Sequence, residues 1–192
     1  LGVKMLETNS LKRKIDSGQP VIGTWNTLGS PLVTEVLAKG GFDFLIIDFE
    51  HGPIDFTNIS NYINACNQNE CSPIVRIPSN FNWMSLQVLD QGGHGVMVPG
   101  IQNKLETLNF VASTKYHPLG NRGFTPFSKA GGFTNVNTDT YTEKANADVV
   151  SCIIIESMNG VNQLDEILEV ENLDIVYFGA YDLSQDLGVP GD

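Results

Sequence analysis

Apolar residues along this chain gather into six short runs, each followed by a segment with helical spacing. The runs are Val21 to Trp25, Phe42 to Phe49, Pro73 to Ile77, Gly95 to Pro99, Val149 to Glu156 and Asp174 to Ala180. Several are apolar on both faces, as parallel strands covered by helices are. Between them the polar residues mark helix starts. Ser30 caps a helix with Pro31 at its first position and Leu32, Val33, Val36 and Leu37 on one face, and Gly40-Gly41 stop it. Asp55 caps a second, in which Phe56, Ile59, Ile63 and Cys66 recur at helical intervals. Asn103 and Glu106 form a capping box ahead of Leu105, Leu108 and Ala112, and Val161, Leu164, Ile167 and Leu168 repeat the pattern. A Gly-, Asn- and Thr-rich insert from Tyr116 to Ala147 separates the fourth and fifth runs. It is longer than the usual connection, and the expectation is that it folds over a site.

Six strand-helix units suit either a (β/α)8 TIM barrel or an open doubly wound sheet. No glycine-rich nucleotide fingerprint follows the first strand, which disfavours the latter. A full barrel takes about 250 residues. At 192 residues the chain is therefore expected to be a single domain, 1–192, that is either a barrel truncated after the sixth strand or an open fold.

Charge narrows the partners. Eleven Lys and Arg stand against 22 Asp and Glu, a formal charge of −11. Such a balance argues against nucleic acid, whose phosphates need basic surface. No run reaches the roughly 20 apolar residues of a membrane span, and the first residues lack the apolar core of a signal peptide, so a cytoplasmic protein is expected. Cys66, Cys71 and Cys152 are too few to form a disulfide framework and read as reduced, buried residues.

Candidate chemistry sits at the C-terminal ends of the runs, where parallel α/β folds place their sites. Glu156 and Asp182 are placed either to share a divalent cation or to cap helices. His51 close to Asp48 is either a general base or a solvated loop residue, and Arg76 is a candidate for steadying an oxyanion. His94, in a glycine-rich turn, and His117, before a proline, read more readily as structural.

The wording of the segments adds a resemblance. Gly23-Thr24-Trp25, FDFLIIDFEHGP from Phe42, PIVRIP from Pro73, LDQGGHGVMVPGIQN from Leu89, YHPLGNRGF from Tyr116, IIIES from Ile153 and FGAYDLSQDLG from Phe178 occur in one order over nearly the whole chain. In that order they resemble the HpcH/HpaI family of metal-dependent, class II pyruvate aldolases.

The resemblance implies a TIM barrel of the phosphoenolpyruvate/pyruvate-binding type. It also implies cleavage of a 4-hydroxy-2-oxo acid to pyruvate and an aldehyde, reversibly, through a pyruvate enolate. Glu156 and Asp182 would bind Mg²⁺, Mn²⁺ or Co²⁺, and Arg76 would hydrogen-bond the keto oxygen. His51, oriented by Asp48, would move the proton. The backbone at Gly179, Ala180 and Asp182 would receive the pyruvate carboxylate, and Asp90 would reach a neighbouring subunit's site in a homo-oligomer, a hexamer by resemblance. Tyr181 and the insert residues Arg122, Gly123, Phe124 and Phe127 are candidates for contacts near the site. Two positions depart from the family pattern: Ala180 replaces a common proline, and Ile154 a glutamine that contacts pyruvate or an ordered water. The alternatives are a lyase acting on a malyl-type CoA thioester, or a weakly catalytic binding protein on the same scaffold.

Overall fold

A computed structural model describes residues 9–133 and 138–192. Six parallel strands lie side by side in chain order: β1 Gly23–Asn26, β2 Phe44–Asp48, β3 Ser72–Arg76, β4 Gly95–Val98, β5 Val150–Ile155 and β6 Ile175–Phe178. All six runs read from the sequence are strands, with ends that differ from the reading by no more than two residues. At one of these ends the Asp43 carboxylate takes the Ile22 N–H and starts the chain turning. Helices α2 Pro31–Lys39, α3 Ile59–Asn67, α4 Asn82–Asp90 and α5 Lys104–Thr114 return the chain between the first strands. Consecutive neighbours with helical returns give a singly wound sheet, which curls rather than opens. The curl brings the Trp25 and Tyr177 rings of the first and last strands to 5.5 Å, edge to face. Six strands thus form a partial barrel, and among the described residues the eight-stranded closure implied by the resemblance is not found.

Side-chain parity divides the core in two. Leu45, Ile47, Val75, Ile77, Val96, Val98, Ile153 and Ile155 face the helices and pack with Ile59, Tyr62, Ile63, Phe110 and Ile167. Ile46, Ile74, Met97, Cys152 and Ile154 face inward. The inner space is plugged from the N-terminal ends of the strands by Leu11 of a short helix, α1 Ser10–Asp16. Asn9 caps this helix, donates to the carbonyls of His94 and Asp148, and accepts from the Ser72 hydroxyl at 2.9 Å. The three cysteines are free and buried.

Ser30 and Asn103 cap α2 and α5 as the spacing predicts, and Ile59, Ile63 and Cys66 form the buried face of α3. Two apolar faces differ from expectation. On α2, Thr34 and Ala38 are buried while Leu32 and Val36 are 69% and 64% exposed, because the Thr34 hydroxyl accepts from the buried Asn26 amide at 2.7 Å and a satisfied polar group can face the core. On α5, Thr107, Phe110 and Val111 are buried while Leu105 and Leu108 face out. The last expected helix is two short ones, α7 Met158–Asn162 and α8 Leu164–Leu168, with Leu168 exposed.

The insert does not cover the C-terminal ends of the strands. Its described residues, with α6 Thr138–Asp148, lie at the opposite end. Ala130 N–H donates to the Asp90 carbonyl at the end of α4, Lys129 to Asn64 near the end of α3, and the buried Lys115 ammonium to the carbonyls of Asn146 and Val149. The reason is the connection itself: a segment between a helix's C-terminus and the next strand's start belongs to the N-terminal end of a β/α fold. Arg122, Gly123, Phe124 and Phe127 are therefore remote from the site of their own chain.

Candidate active site

The inward parity that fills the interior with aliphatic side chains leads, at the tops of five of the six strands, to the residues of the candidate site. Trp25 on β1, Asp48 and Glu50 after β2's inward Ile46, Arg76 on β3, Glu156 after β5 and Gly179 after β6 all carry that parity. Asp48 and Arg76 are paired in register. Arg76 Nε donates to Asp48 Oδ1 at 2.9 Å and Nη2 to Oδ2 at 2.6 Å, within a fully buried setting for the carboxylate. The Glu50 and His51 N–H groups also donate to Oδ1, at 3.0 and 3.2 Å. Burial opposes ionisation of Asp48 more than any single other influence, but the Arg76 and backbone hydrogen bonds together outweigh it and hold the carboxyl below its usual range. The guanidinium lies over the Trp25 ring, 4.5 Å from its centroid, and its Nη1 is 2.8 Å from Glu50 Oε2. Burial raises the Glu50 carboxyl, with Arg76 and His51 acting against the rise and Asp48 and Asp182 adding to it.

Asp48's contact with His51 thus runs through the main chain, and the side chain it orients is Arg76. The His51 ring is exposed at the rim. Glu156 stands beside Gly179: a Cβ on that glycine would meet Glu156 Cβ and Oε2 at 2.8 Å and Ile154 Cγ2 at 3.1 Å. Burial raises the Glu156 carboxyl, Asp182 and Glu50 raise it further, and the Gly100 N–H and Arg76 act against them. Asp182 is exposed in the first turn of α9 Ala180–Asp186, whose N-cap is Gly179. The first-turn N–H groups at Ala180, Tyr181 and Asp182 have no acceptor within the helix. Ile154 is buried in the inner core beneath Glu156.

Among the described residues no three His, Cys, Asp or Glu side chains gather closely enough to cage a metal. What the site offers is an acidic cluster of hard oxygen donors, Glu156 and Asp182, in which neighbouring negative charge disfavours ionisation of Glu156. Gly179 leaves the space beside its carboxylate open. Those residues fit a hard divalent ion of the Mg²⁺ kind, which keeps most of its waters and takes one or two protein carboxylates.

Asp90 is not part of this cluster. It ends α4 at the opposite end, paired with Arg122 at 2.8 Å. His94 sits just before β4, its Nδ1 3.1 Å from Ser72 Oγ. Sequence reasoning gave no role to Glu50 or Trp25, although Glu50 shares the parity of Asp48, which it did choose.

A curled parallel sheet with a carboxylate-held arginine and an acidic pair at its C-terminal strand ends has the form of a partial β/α barrel with its polar residues gathered at the mouth. The chain belongs to the HpcH/HpaI aldolase/citrate lyase family, whose description matches residues 21–192. It is 34% identical over 186 residues to hydroxypyruvate/pyruvate aldolase of Roseovarius nubinhibens, covering 96% of this chain and 72% of that protein. It is likewise 34% identical over 184 residues to 5-keto-4-deoxy-D-glucarate aldolase of Salmonella newport, covering 96% and 71%. Among solved structures, an HpcH/HpaI aldolase/citrate lyase family protein from Burkholderia cenocepacia superposes with a TM-score of 0.89 at 32% identity, covering 96% of this chain and 74% of that one. The citrate synthase SbnG superposes at 0.86 and 34% identity, covering 96% and 71%. This is an enzyme of the aldolase type. Among the described residues no helix is long and apolar enough to cross a membrane.

Proposed function

We propose that this enzyme makes and breaks the bond between pyruvate and an aldehyde, by way of the pyruvate enolate, with a divalent ion held by Glu156 and Asp182. The observation that carries the reading is Arg76: its Nε and Nη2 are fixed by Asp48, and its charge acts on the Glu156 carboxyl. When bound, the ion supplies Lewis acidity to the keto oxygen and carboxylate of the keto acid. Arg76 donates to the keto oxygen and stabilises the negative charge that develops there on loss of a methyl proton. A lysine would serve less well, lacking the planar fork. The first-turn N–H groups at Ala180 and Asp182, next to Gly179, receive the substrate carboxylate. His51, at the rim, moves one proton between the 4-hydroxyl of the hydroxy-oxo acid and the enolate carbon, taking it from the hydroxyl as the bond breaks and delivering it to the carbon that becomes pyruvate's methyl, with the reverse in condensation. Asp48 has its acceptor positions taken by Arg76 and two backbone N–H groups, so it positions the cation.

The name of one relative, hydroxypyruvate/pyruvate aldolase, supports pyruvate as one half of the substrate, and that of another, 5-keto-4-deoxy-D-glucarate aldolase, supports aldol chemistry on a keto acid. The test is independent of the aldehyde. Metal-stripped enzyme is mixed with pyruvate in D2O, Mn²⁺, Mg²⁺ or Co²⁺ is added in turn, and loss of the methyl signal is followed by NMR after the metal is removed. Metal-dependent exchange that disappears in Glu156→Ala is expected. A folded, metal-saturated enzyme that exchanges no methyl protons would overturn the reading. In the assembled enzyme, Asp90 reaches the site of a neighbouring copy, and its substitution is expected to lower turnover although it lies far from its own chain's Arg76.

A further inference from the structure

An arginine presents five N–H groups in a fixed plane, and Arg76 has committed two of them to Asp48. Trp25 covers one face of that plane. The Nη1 edge remains, and it is the edge a substrate oxygen needs. Glu50 occupies it. Its Oε2 is 2.8 Å from Nη1, an ion-pair distance, yet the angle is not that of a hydrogen bond, and this buried oxygen has no hydrogen-bond partner among the described residues. A carboxylate that only had to fix Arg76 would add little to what Asp48 does with two aligned bonds. One that stands in for an absent anion needs only to neutralise the edge and to leave it cheaply, and an unaligned contact does both.

We propose that Glu50 is a placeholder: it covers Nη1 of Arg76 in the free enzyme and yields that edge to the oxyanion of the bound keto acid, so that the Glu50–Arg76 contact sets the apparent affinity for substrate. The inference rests on the reading of Arg76 as the partner of the keto oxygen. A ligand that must displace a resident group binds with its intrinsic affinity reduced by the fraction of enzyme in which the edge is free. Removing the resident group removes that reduction.

The experiment uses oxalate, a planar dianion with the oxygen arrangement of the enolate, titrated calorimetrically into Mn²⁺-loaded enzyme. Glu50→Gln and Glu50→Ala are each expected to bind oxalate about fivefold more tightly than the parent, the size of effect a partly buried ion pair supports. The KM for pyruvate in methyl exchange falls in parallel, while kcat changes less. Unchanged or weaker oxalate binding in the two Glu50 variants would overturn the proposal, and a weakening with a matching fall in kcat would assign Glu50 to holding Arg76 in place. Arg76→Lys, which keeps a cation opposite Asp48, separates this from the underlying reading. If it binds oxalate as tightly as the parent, Arg76 is not the oxyanion partner; if it binds more weakly while the Glu50 variants also fail to tighten, only the placeholder falls.

Discussion

Asp48 and Arg76 are cross-strand neighbours in register on β2 and β3, and their side chains close a two-bond ring inside the barrel. The cation proposed to meet the substrate is therefore fixed by the pairing of two strands, with the Glu50 and His51 N–H groups holding the same carboxylate. The same geometry makes it part of the fold. Asp48→Ala leaves a buried guanidinium without its main counter-charge and is expected to cost about 3–5 kcal/mol of stability. The Asp48→Ala/Arg76→Ala double variant should be less destabilised than the sum of the single ones, because neither partner is then left alone. Urea unfolding of the four proteins checks this, and strict additivity would argue that the two residues are not energetically coupled.

Gly179 tests how closely Glu156 is placed. An alanine there would press on Glu156 Cβ and Oε2 at 2.8 Å, and the Cβ is not a flexible end that can move aside. Gly179→Ala is expected to lower metal-dependent methyl exchange by on the order of 100-fold, as misplacement by about 1 Å does elsewhere. Its circular dichroism should match the parent's. Exchange at the parent rate would show that the carboxylate has room to relocate.

The acidic residues oppose one another in their dependence on pH. Glu50 and Glu156 hold their protons more tightly in the folded chain than the ordinary 4.5. They therefore add stability that is complete below that value and is lost as pH rises through their raised ones. Asp48, held below its ordinary 3.8, adds stability above that value and loses it as pH falls through its depressed one. Metal-free enzyme should accordingly lose stability on the limb rising from 4.5 toward neutrality. Saturating Mn²⁺ should flatten that limb, because the ion favours ionised Glu156. Urea midpoints across pH, with and without Mn²⁺, report the difference; an identical slope in both series would remove Glu156 from the metal's ligands.

Lys115 anchors the far end of the molecule. Its ammonium is buried and donates to the carbonyls of Asn146 and Val149, and burial lowers its proton affinity. Lys115→Met leaves two buried carbonyls short of a donor and is expected to destabilise the fold by about 1–3 kcal/mol. Methyl exchange per folded molecule should stay at the parent rate. A fall in exchange without a fall in stability would mean that this end communicates with the site.

All six strands and the C-terminal-end location of Asp48, Arg76 and Glu156 were legible because apolar runs and their polar endings are local signals. The buried faces of α2 and α5 were not, since Thr34 and Thr107 are buried through hydrogen bonds that no hydropathy pattern records. Helix α1 escaped notice for a similar reason: it is short, and its one fully buried apolar residue is Leu11. The insert's position was legible in principle. It follows a helix and precedes a strand, and that order alone assigns it to the end opposite the site. Glu50 could have been found by counting in twos from Ile46 through Asp48. The partner of the Asp48 carboxylate could not, because His51 is near in sequence while Arg76 is near only through strand pairing.

The shared inward parity of Trp25, Asp48, Arg76, Glu156 and Gly179 means that the reading frame of each strand is also the reading frame of the chemistry. Adding or deleting one residue within β2, β3 or β5 would exchange a reactive side chain for its aliphatic neighbour and bury the wrong one among the helices. Length changes that this scaffold can absorb without losing its reaction are thus confined to the turns and to the insert. Diversification of such a lineage should be written there, in segments that never pass through the strands.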